Sequence, residues 1–248
     1  MTPTLLITGA SRGIGAATAL LAAQRGYAVA VNYSANSLAA DEVVRQIRAG
    51  GGTAMAVPAD VADEAQVMAM FAHIDARLGP LTALVNNAGV VDVTSRVDEM
   101  GVGRLKRMFD INVLGSFVCA REAIRRMSTR HGGAGGSIVN LSSAAARLGG
   151  PGQYVDYAAS KGAIDTFTLG LSREVAAEGI RVNAVRPGII ETDIHASGGQ
   201  PDRARQLAPL VPMQRAGSAM EVAQVIVWLL SIEASYTTGA LIDVAGGR

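Results

Sequence analysis

Tyr157 and Lys161 stand four residues apart in a stretch with helical spacing, which puts both side chains on one helix face with Cβ atoms about 5 to 6 Å apart. A phenol, with an ordinary pKa near 10, exchanges protons poorly at neutral pH, and a nearby ammonium lowers that value by favouring the phenolate. Such a pair suits proton exchange with a carbonyl or alcohol oxygen. The same spacing also describes a solvated surface pair, so the pair needs other residues around it to acquire meaning. Two of these are hydroxyls: the apolar run Ile138-Val139-Asn140-Leu141 leads into Ser142-Ser143, either of which can hydrogen-bond a substrate oxygen. Another is Asn112, an amide inside the helical pattern Asp110-Ile111-Asn112-Val113, whose plainer reading is a buried, locally bonded amide. Nucleophilic catalysis fits poorly, because none of the three histidines follows a strand where it would serve as a base for Ser143.

A different chemistry sits at the start of the chain. The run Thr8-Gly9-Ala10-Ser11-Arg12-Gly13-Ile14-Gly15 follows a first apolar strand and opens a helix. There Gly9 permits a tight turn, Gly13 lets backbone approach a pyrophosphate, and Gly15 allows close helix-to-strand contact, while the helix N-terminus attracts the anion. The spacing is G-x-x-x-G-x-G, and strand before plus helix after make it a dinucleotide site and not a plain turn.

These residues need a scaffold that brings them to one edge. Seven short apolar runs, Thr4 to Thr8, Ala28 to Asn32, Thr53 to Pro58, Ala83 to Asn86, Ser137 to Leu141, Arg181 to Val185 and Leu241 to Val244, read as strands. Between them lie helical patterns at Gly13 to Arg25, Ala35 to Ala49, Glu64 to Leu78, Arg104 to Thr129, Tyr157 to Glu178 and Glu221 to Leu230. Alternation of this kind, with strands apolar on both faces, predicts an α/β fold: a doubly wound, seven-stranded parallel sheet of Rossmann type with helices on both faces. The 248 residues are expected to form one dinucleotide-binding and catalytic domain.

Composition narrows the partners. Twenty-two basic and 21 acidic residues are scattered to a net charge of +1, which leaves no footprint for nucleic acid. No apolar run approaches the 18 or so residues of a membrane span, and the N-terminus reads as a strand and not as a signal peptide, so a cytoplasmic protein with a small-molecule substrate is expected. The single cysteine, Cys119, lies in an apolar run and reads as core. His73, His131 and His195 have no ligand spacing, and no metal is expected. The glycine-rich run 132–136 reads as a surface loop.

Several of these elements together resemble the short-chain dehydrogenase/reductase family. Thr8-Gly-x-x-x-Gly-x-Gly15 is similar to its cofactor motif, Asn86-Asn87-Ala88-Gly89 to its N-N-A-G element, and Tyr157-Ala158-Ala159-Ser160-Lys161 to its Y-x-x-x-K element. Asn112, Pro187-Gly188 and the closing Thr238-Gly239 with Ala245-Gly246-Gly247 continue the order, so the likeness spans residues 4 to 247. It implies hydride transfer between a nicotinamide and a ketone or secondary alcohol, with Tyr157 as acid/base, Lys161 assisting it and holding the nicotinamide ribose, and Ser143 placing the substrate oxygen. Asn112 would open its helix and hold a water that relays protons to Lys161. Ser142 would be structural. The interval from Ser143 to Tyr157 is slightly longer than the family's, by an extra residue within 148–152.

For the cofactor, the resemblance assigns Gly9, Ser11, Arg12, Gly13, Ile14 and Gly15 to the phosphate loop. It gives Asp60 and Val61 to the adenine, with an N-cap role open to Asp60 or Asp63. Asn87, Ala88 and Gly89 would line the cofactor, and Pro187, Gly188, Ile190 and Thr192 the nicotinamide. The second strand ends Asn32-Tyr33-Ser34 with no carboxylate to accept both ribose hydroxyls. Arg12 suits a 2′-phosphate, and Asn32, Tyr33 and Ser34 can add hydrogen bonds, so NADP(H) is expected over NAD(H).

The pattern is most similar to 3-oxoacyl-carrier-protein reductases and glucose-dehydrogenase-like members, which differ mainly at the lid, expected here at about 193–216. An acyl-carrier partner would need a basic patch, for which Arg96, Arg104, Lys106, Arg107, Arg125, Arg126 and Arg130 are available. A homotetramer, or a dimer, is implied through the helices at Arg104 to Thr129 and Tyr157 to Glu178 and the last strand. A non-catalytic dinucleotide sensor is the alternative from a different class.

Overall fold

The computed structural model describes residues 2–192 and 198–248. Seven parallel strands form one sheet: β1 (Thr4–Ile7), β2 (Ala28–Tyr33), β3 (Ala54–Pro58), β4 (Leu81–Asn86), β5 (Gly136–Leu141), β6 (Ile180–Pro187) and, last in the chain, β9 (Leu241–Val244). Their order is β3-β2-β1-β4-β5-β6-β9. The order reverses between β1 and β4, and such a switch point opens a crevice at the carboxyl ends of the strands.

Alternation along β1 shows how the sheet is buried on both sides. Leu5 and Ile7 pack into an apolar cluster with β2 residues Val29 and Val31 and with helices α1 (Gly13–Gln24), α2 (Ser37–Ala49) and α9 (Ala219–Leu230). Leu6 points the other way, into a cluster with Phe71 and Ile74 of α3 (Glu64–Leu78), Cys119 and Ala123 of α5 (Gly115–Met127), and Leu171 of α7 (Val155–Val175). Side chains of this size, fully removed from water, contribute about 1.5–3 kcal/mol each, so the two clusters hold the layers together. Cys119 is an inert member of the second cluster, its thiol pushed up to about 12 by burial.

The expected strands are present with ends shifted by a few residues, most at β6, which extends from Ile180 to Pro187. Helix α2 starts at Ser37, because Asn36 caps it by accepting a hydrogen bond from Ala39 N–H. Helix α7 starts before Tyr157, at Val155. The helix expected over Arg104 to Thr129 divides into α4 (Val102–Phe109), a π-helical turn over Asp110–Leu114, and α5. Periodicity gave no sign of the short helices α6 (Ala145–Leu148) and α8 (Arg203–Leu207), nor of the two-residue parallel strands β7 (Ile190–Glu191) and β8 (Gly217–Ser218). Of the expected lid, 193–197, with His195, lies outside the described residues.

Candidate active site

The ends of β1, β4, β5 and β6 open into a cleft of about 470 Å³. Ile14, Asn87, Gly89, Ser143, Tyr157 and Lys161 all line it, so the glycine loop and the Tyr–Lys pair, far apart in sequence, share one cavity.

The nucleotide wall is built by amides bonded to backbone. Gly9 turns with φ of 61° and Gly13 with 55°, a region that favours glycine. Gly9 N–H donates to Asn32 Oδ1 (3.0 Å), and Asn32 Nδ2 donates to the carbonyls of Val57 (3.2 Å) and Ala59 (3.1 Å). Asn32 is therefore committed within the protein. The expectation that its side chain reaches the cofactor is corrected: it is buried beneath the glycine turn and holds that turn in place. Ser34 is exposed and Tyr33 half-buried at the strand end, and Arg12 is exposed in the loop. Asn87 Nδ2 donates to the carbonyls of Thr8 (2.8 Å) and Gly9 (2.9 Å), tying β4 to the same turn.

Further along, Asp60 Oδ1 accepts from Ala62 N–H, while Asp63 accepts from Gln66 N–H, so Asp63 is the N-cap of α3. Val61 is buried, and its side chain would lie 2.7 Å from a Cβ placed on Gly115. Thr192 faces Gly13, with its Cγ2 3.4 Å from where a Cβ would stand.

On the chemical wall, Tyr157 is one turn into α7, and its side chain and that of Ser143 line the cleft together. Ser143 Oγ also accepts from Ala145 N–H at 3.1 Å, which fixes it at the start of α6. Ser142 is buried and donates to the Lys161 carbonyl (3.2 Å), so the two serines divide into one facing the cleft and one holding α7 against β5. Lys161 Nζ donates to the Leu141 carbonyl (2.7 Å) and lies 5.7 Å from the centroid of the Tyr157 ring. Asn112 is 1% exposed; it accepts from Val90 N–H (2.8 Å) and donates to Val90 O (3.0 Å) and Ser160 Oγ (3.2 Å). A Cβ on Gly89 would lie 3.3 Å from Asn112 Oδ1 and 3.5 Å from Lys161 Nζ, so glycine there lets the two groups approach.

The electrostatics differ from those expected of the bare pair. Burial pushes the Tyr157 phenol above its ordinary value, opposed by the Ser143 hydrogen bond, and burial lowers Lys161 to about 8, opposed by Asp165. Desolvation sets the direction of the Tyr157 shift, while the Lys161 ammonium flanks the ring and bonds to a carbonyl.

A family model described as enoyl-(acyl carrier protein) reductase matches residues 9–248. Among curated proteins, an uncharacterized oxidoreductase, YgfF, of Escherichia coli is 59% identical over 243 residues, covering 98% of each chain. The 3-oxoacyl-[acyl-carrier-protein] reductase FabG of Staphylococcus aureus is 38% identical over 249 residues, covering 100% of this chain and 98% of that one. Among solved structures, a variant of a short-chain dehydrogenase/reductase of Serratia marcescens superposes with a TM-score of 0.91 at 34% identity, covering 99% of this chain and 97% of that one. The chain belongs to the short-chain dehydrogenase/reductase family.

As an oxidoreductase of this family it uses a nicotinamide dinucleotide, and its cleft has the features such a group needs. The glycine turn leads into an α1 N-terminus that no side chain caps, leaving backbone N–H groups available for a pyrophosphate. Backbone at Gly13 and Gly89 clears the path between that turn and Lys161.

The structure also adds residues that motif reading passed over. Tyr154, one turn before Tyr157 and on its face, was accessible to helical periodicity; Leu148, Gln153, Arg203 and Arg248 line the cleft without any local pattern. In contrast, the basic patch foreseen for an acyl-carrier partner is largely neutralised. Arg96 pairs with Asp98, Arg104 with the buried Asp156, Arg125 and Arg126 with Glu122, and Arg130 with Glu178, leaving Lys106 and Arg107. Among the described residues no group of three or more His, Cys, Asp and Glu is placed to hold a metal ion, and no helix is long and apolar enough to cross a membrane.

Proposed function

We propose that the protein is an NADP(H)-dependent reductase of ketones, working reversibly on secondary alcohols. The observation that carries this reading is that Ser143, Tyr157 and Lys161 line the same cleft that the glycine turn enters at Ile14. When bound, the dinucleotide supplies the hydride. Ser143 and Tyr157 hydroxyls together hold the substrate oxygen, and Tyr157, kept protonated by its burial, gives it a proton as negative charge develops there. Lys161, charged below about pH 8, flanks the tyrosine and would hold the nicotinamide ribose. Asn112 ties the Val90 segment to the π-helical turn.

The preference for NADP(H) rests on the absence of a carboxylate at the end of β2 and on Arg12 in the glycine loop, whose planar guanidinium matches a 2′-phosphate. The segment 193–216 acts as the substrate lid of a single domain. Subunits associate as a tetramer or dimer through the π-helical turn, α5, α7 and β9; Leu114 of that turn, Phe117 of α5 and Leu169 of α7 are exposed, and Phe117 stacks on Phe167 at 3.8 Å.

The test is NADPH consumption, with NADH in parallel, on a panel of β-keto esters, acetoacetyl thioesters, diketones and aldehydes, and of sugars in the oxidative direction. Turnover is expected with NADPH, and Tyr157→Phe lowers kcat by about 100- to 10,000-fold while NADPH still binds. Tight NADPH binding with no turnover on any substrate would instead favour a dinucleotide sensor. A monomeric mass by light scattering at micromolar concentration would overturn the assembly.

A further inference from the structure

Arg203 opens α8 and reaches the segment just ahead of α7. Its guanidinium lies 5.0 Å over the Tyr154 ring, donates through Nη1 to Gln200 Oε1 at 2.6 Å and through Nη2 to Gln153 Oε1 at 2.8 Å. Both acceptors are neutral amides. Among the described residues the charge is thus oriented without a carboxylate partner, unlike Arg104, Arg186 and Arg147, which pair with Asp156, Asp165 and Asp243. A guanidinium carries five N–H donors in a planar fork, so this one retains donors for a further acceptor.

Its surroundings make that acceptor an anion. The basic side chains lining the cleft are Lys161, Arg203 and Arg248, and none of the described lining residues is Asp or Glu. An incoming carboxylate or phosphate would meet no acidic side chain among the described lining residues, in a half-enclosed apolar setting where a charge-assisted bond is stronger than in water. The dinucleotide does not account for Arg203, whose bonding partners belong to the Tyr157 wall and the lid, whereas the glycine loop is tied to Asn32 and Asn87.

The geometry points to a substrate that carries an anionic group, a carboxylate or a phosphate, remote from its reacting carbonyl, with Arg203 as the residue that selects it. This rests on the carbonyl-reductase reading above. A terminal carboxylate of a keto acid and the phosphate of a phosphopantetheine-type carrier arm present the same chemistry, and two matched pairs separate them: 5-oxohexanoate against its methyl ester, and S-acetoacetyl-4′-phosphopantetheine against S-acetoacetylpantetheine.

With NADPH and the full-length protein, the charged member of at least one pair is expected to have the higher kcat/KM. Arg203→Gln should lower that charged-to-neutral ratio by about 10- to 100-fold, mainly through KM, and Arg203→Lys should recover part of it. Response in the first pair alone identifies a carboxylate, in the second alone a phosphorylated arm. The inference is overturned if the wild-type protein shows no preference in either pair, if Arg203→Gln lowers both members of a pair equally, or if none of the four is used while other ketones of the panel are. Failure of the whole panel with both cofactors would instead remove the reductase reading beneath it.

Discussion

The two walls of the cleft are made in different ways. On the nucleotide wall the deciding bonds join buried or half-buried amide side chains to backbone: Asn32 with Gly9 and Ala59, and Asn87 with Thr8 and Gly9. They fix the path of the main chain, and the main chain is what meets a pyrophosphate. On the substrate wall, residues 148–153 are held by turns at Gly149, Gly150 and Gly152, all with positive φ, and by the side-chain bond from Arg203 to Gln153. Pro151 and Gln153 are exposed and Leu148 is 48% exposed. A wall defined by backbone accepts few changes, whereas one defined by exposed side chains on a loop can be altered without disturbing the sheet.

Gly15 tests the contrast most severely. A Cβ on Gly15 would lie 2.6 Å from the Gly9 carbonyl, 2.6 Å from Asn87 Nδ2 and 2.9 Å from Ala10 Cα, and two of those three atoms are backbone. Gly15→Ala is therefore expected to destabilise the fold by about 3 kcal/mol and to abolish dinucleotide binding, measured by denaturant unfolding and by NADPH titration. Lost binding with unchanged stability would break the claim that this wall and the fold are one structure.

The next effect concerns the charge buried between the walls. Lys161 titrates near 8 in the folded protein against an ordinary 10.5, so between those values the unfolded chain holds a proton that the folded chain does not. Wild-type stability accordingly rises with pH across that window, and below pH 8 the full cost of desolvating the ammonium is present. Lys161→Met removes that cost. At pH 7 the variant should be the more stable by about 3 kcal/mol, the favourable pairing with Asp165 being already contained in the shift, and the gap should close by pH 10.5. A gap independent of pH would mean that the ammonium is not desolvated as the cleft implies.

The legibility of the sequence follows the same division. Strands that are apolar on both faces, the glycine run after β1 and the Tyr157–Lys161 spacing all express contacts within a few residues, and the sheet and the assembled cleft match what they imply. Asn32 was legible as polar but not as buried, because the groups that bury it, Gly9, Val57 and Ala59, come from three separate places in the chain. The direction of the Tyr157 shift was hidden for a related reason: helical spacing gives the distance between two side chains, whereas desolvation depends on everything packed around them. Arg203 had no local signal at all, since its meaning comes from Tyr154 and Gln153, some fifty residues away.

Smaller effects probe the substrate wall. Gly149 turns with φ of 74°, yet nothing lies within 4 Å of the position its Cβ would take. Gly149→Ala therefore meets only backbone strain, expected at about 1 kcal/mol, with NADPH affinity retained. A loss as large as that of Gly15→Ala would show that the substrate wall is as tightly built as its opposite.

The mildest change is Leu148→Ala. The side chain lines the cleft but is half exposed, so removing it leaves little new cavity and should alter stability by about 0.5 kcal/mol or less. Its effect belongs to recognition: kcat/KM for ketones with long apolar arms should fall by roughly 3- to 10-fold, while the shortest ketones, which do not extend to it, change little. Thermal unfolding and a chain-length series measure the two quantities on one variant. If stability and short-chain turnover fell together, Leu148 would be part of the support for Ser143 at the head of α6, and the substrate wall would have to be counted with the scaffold.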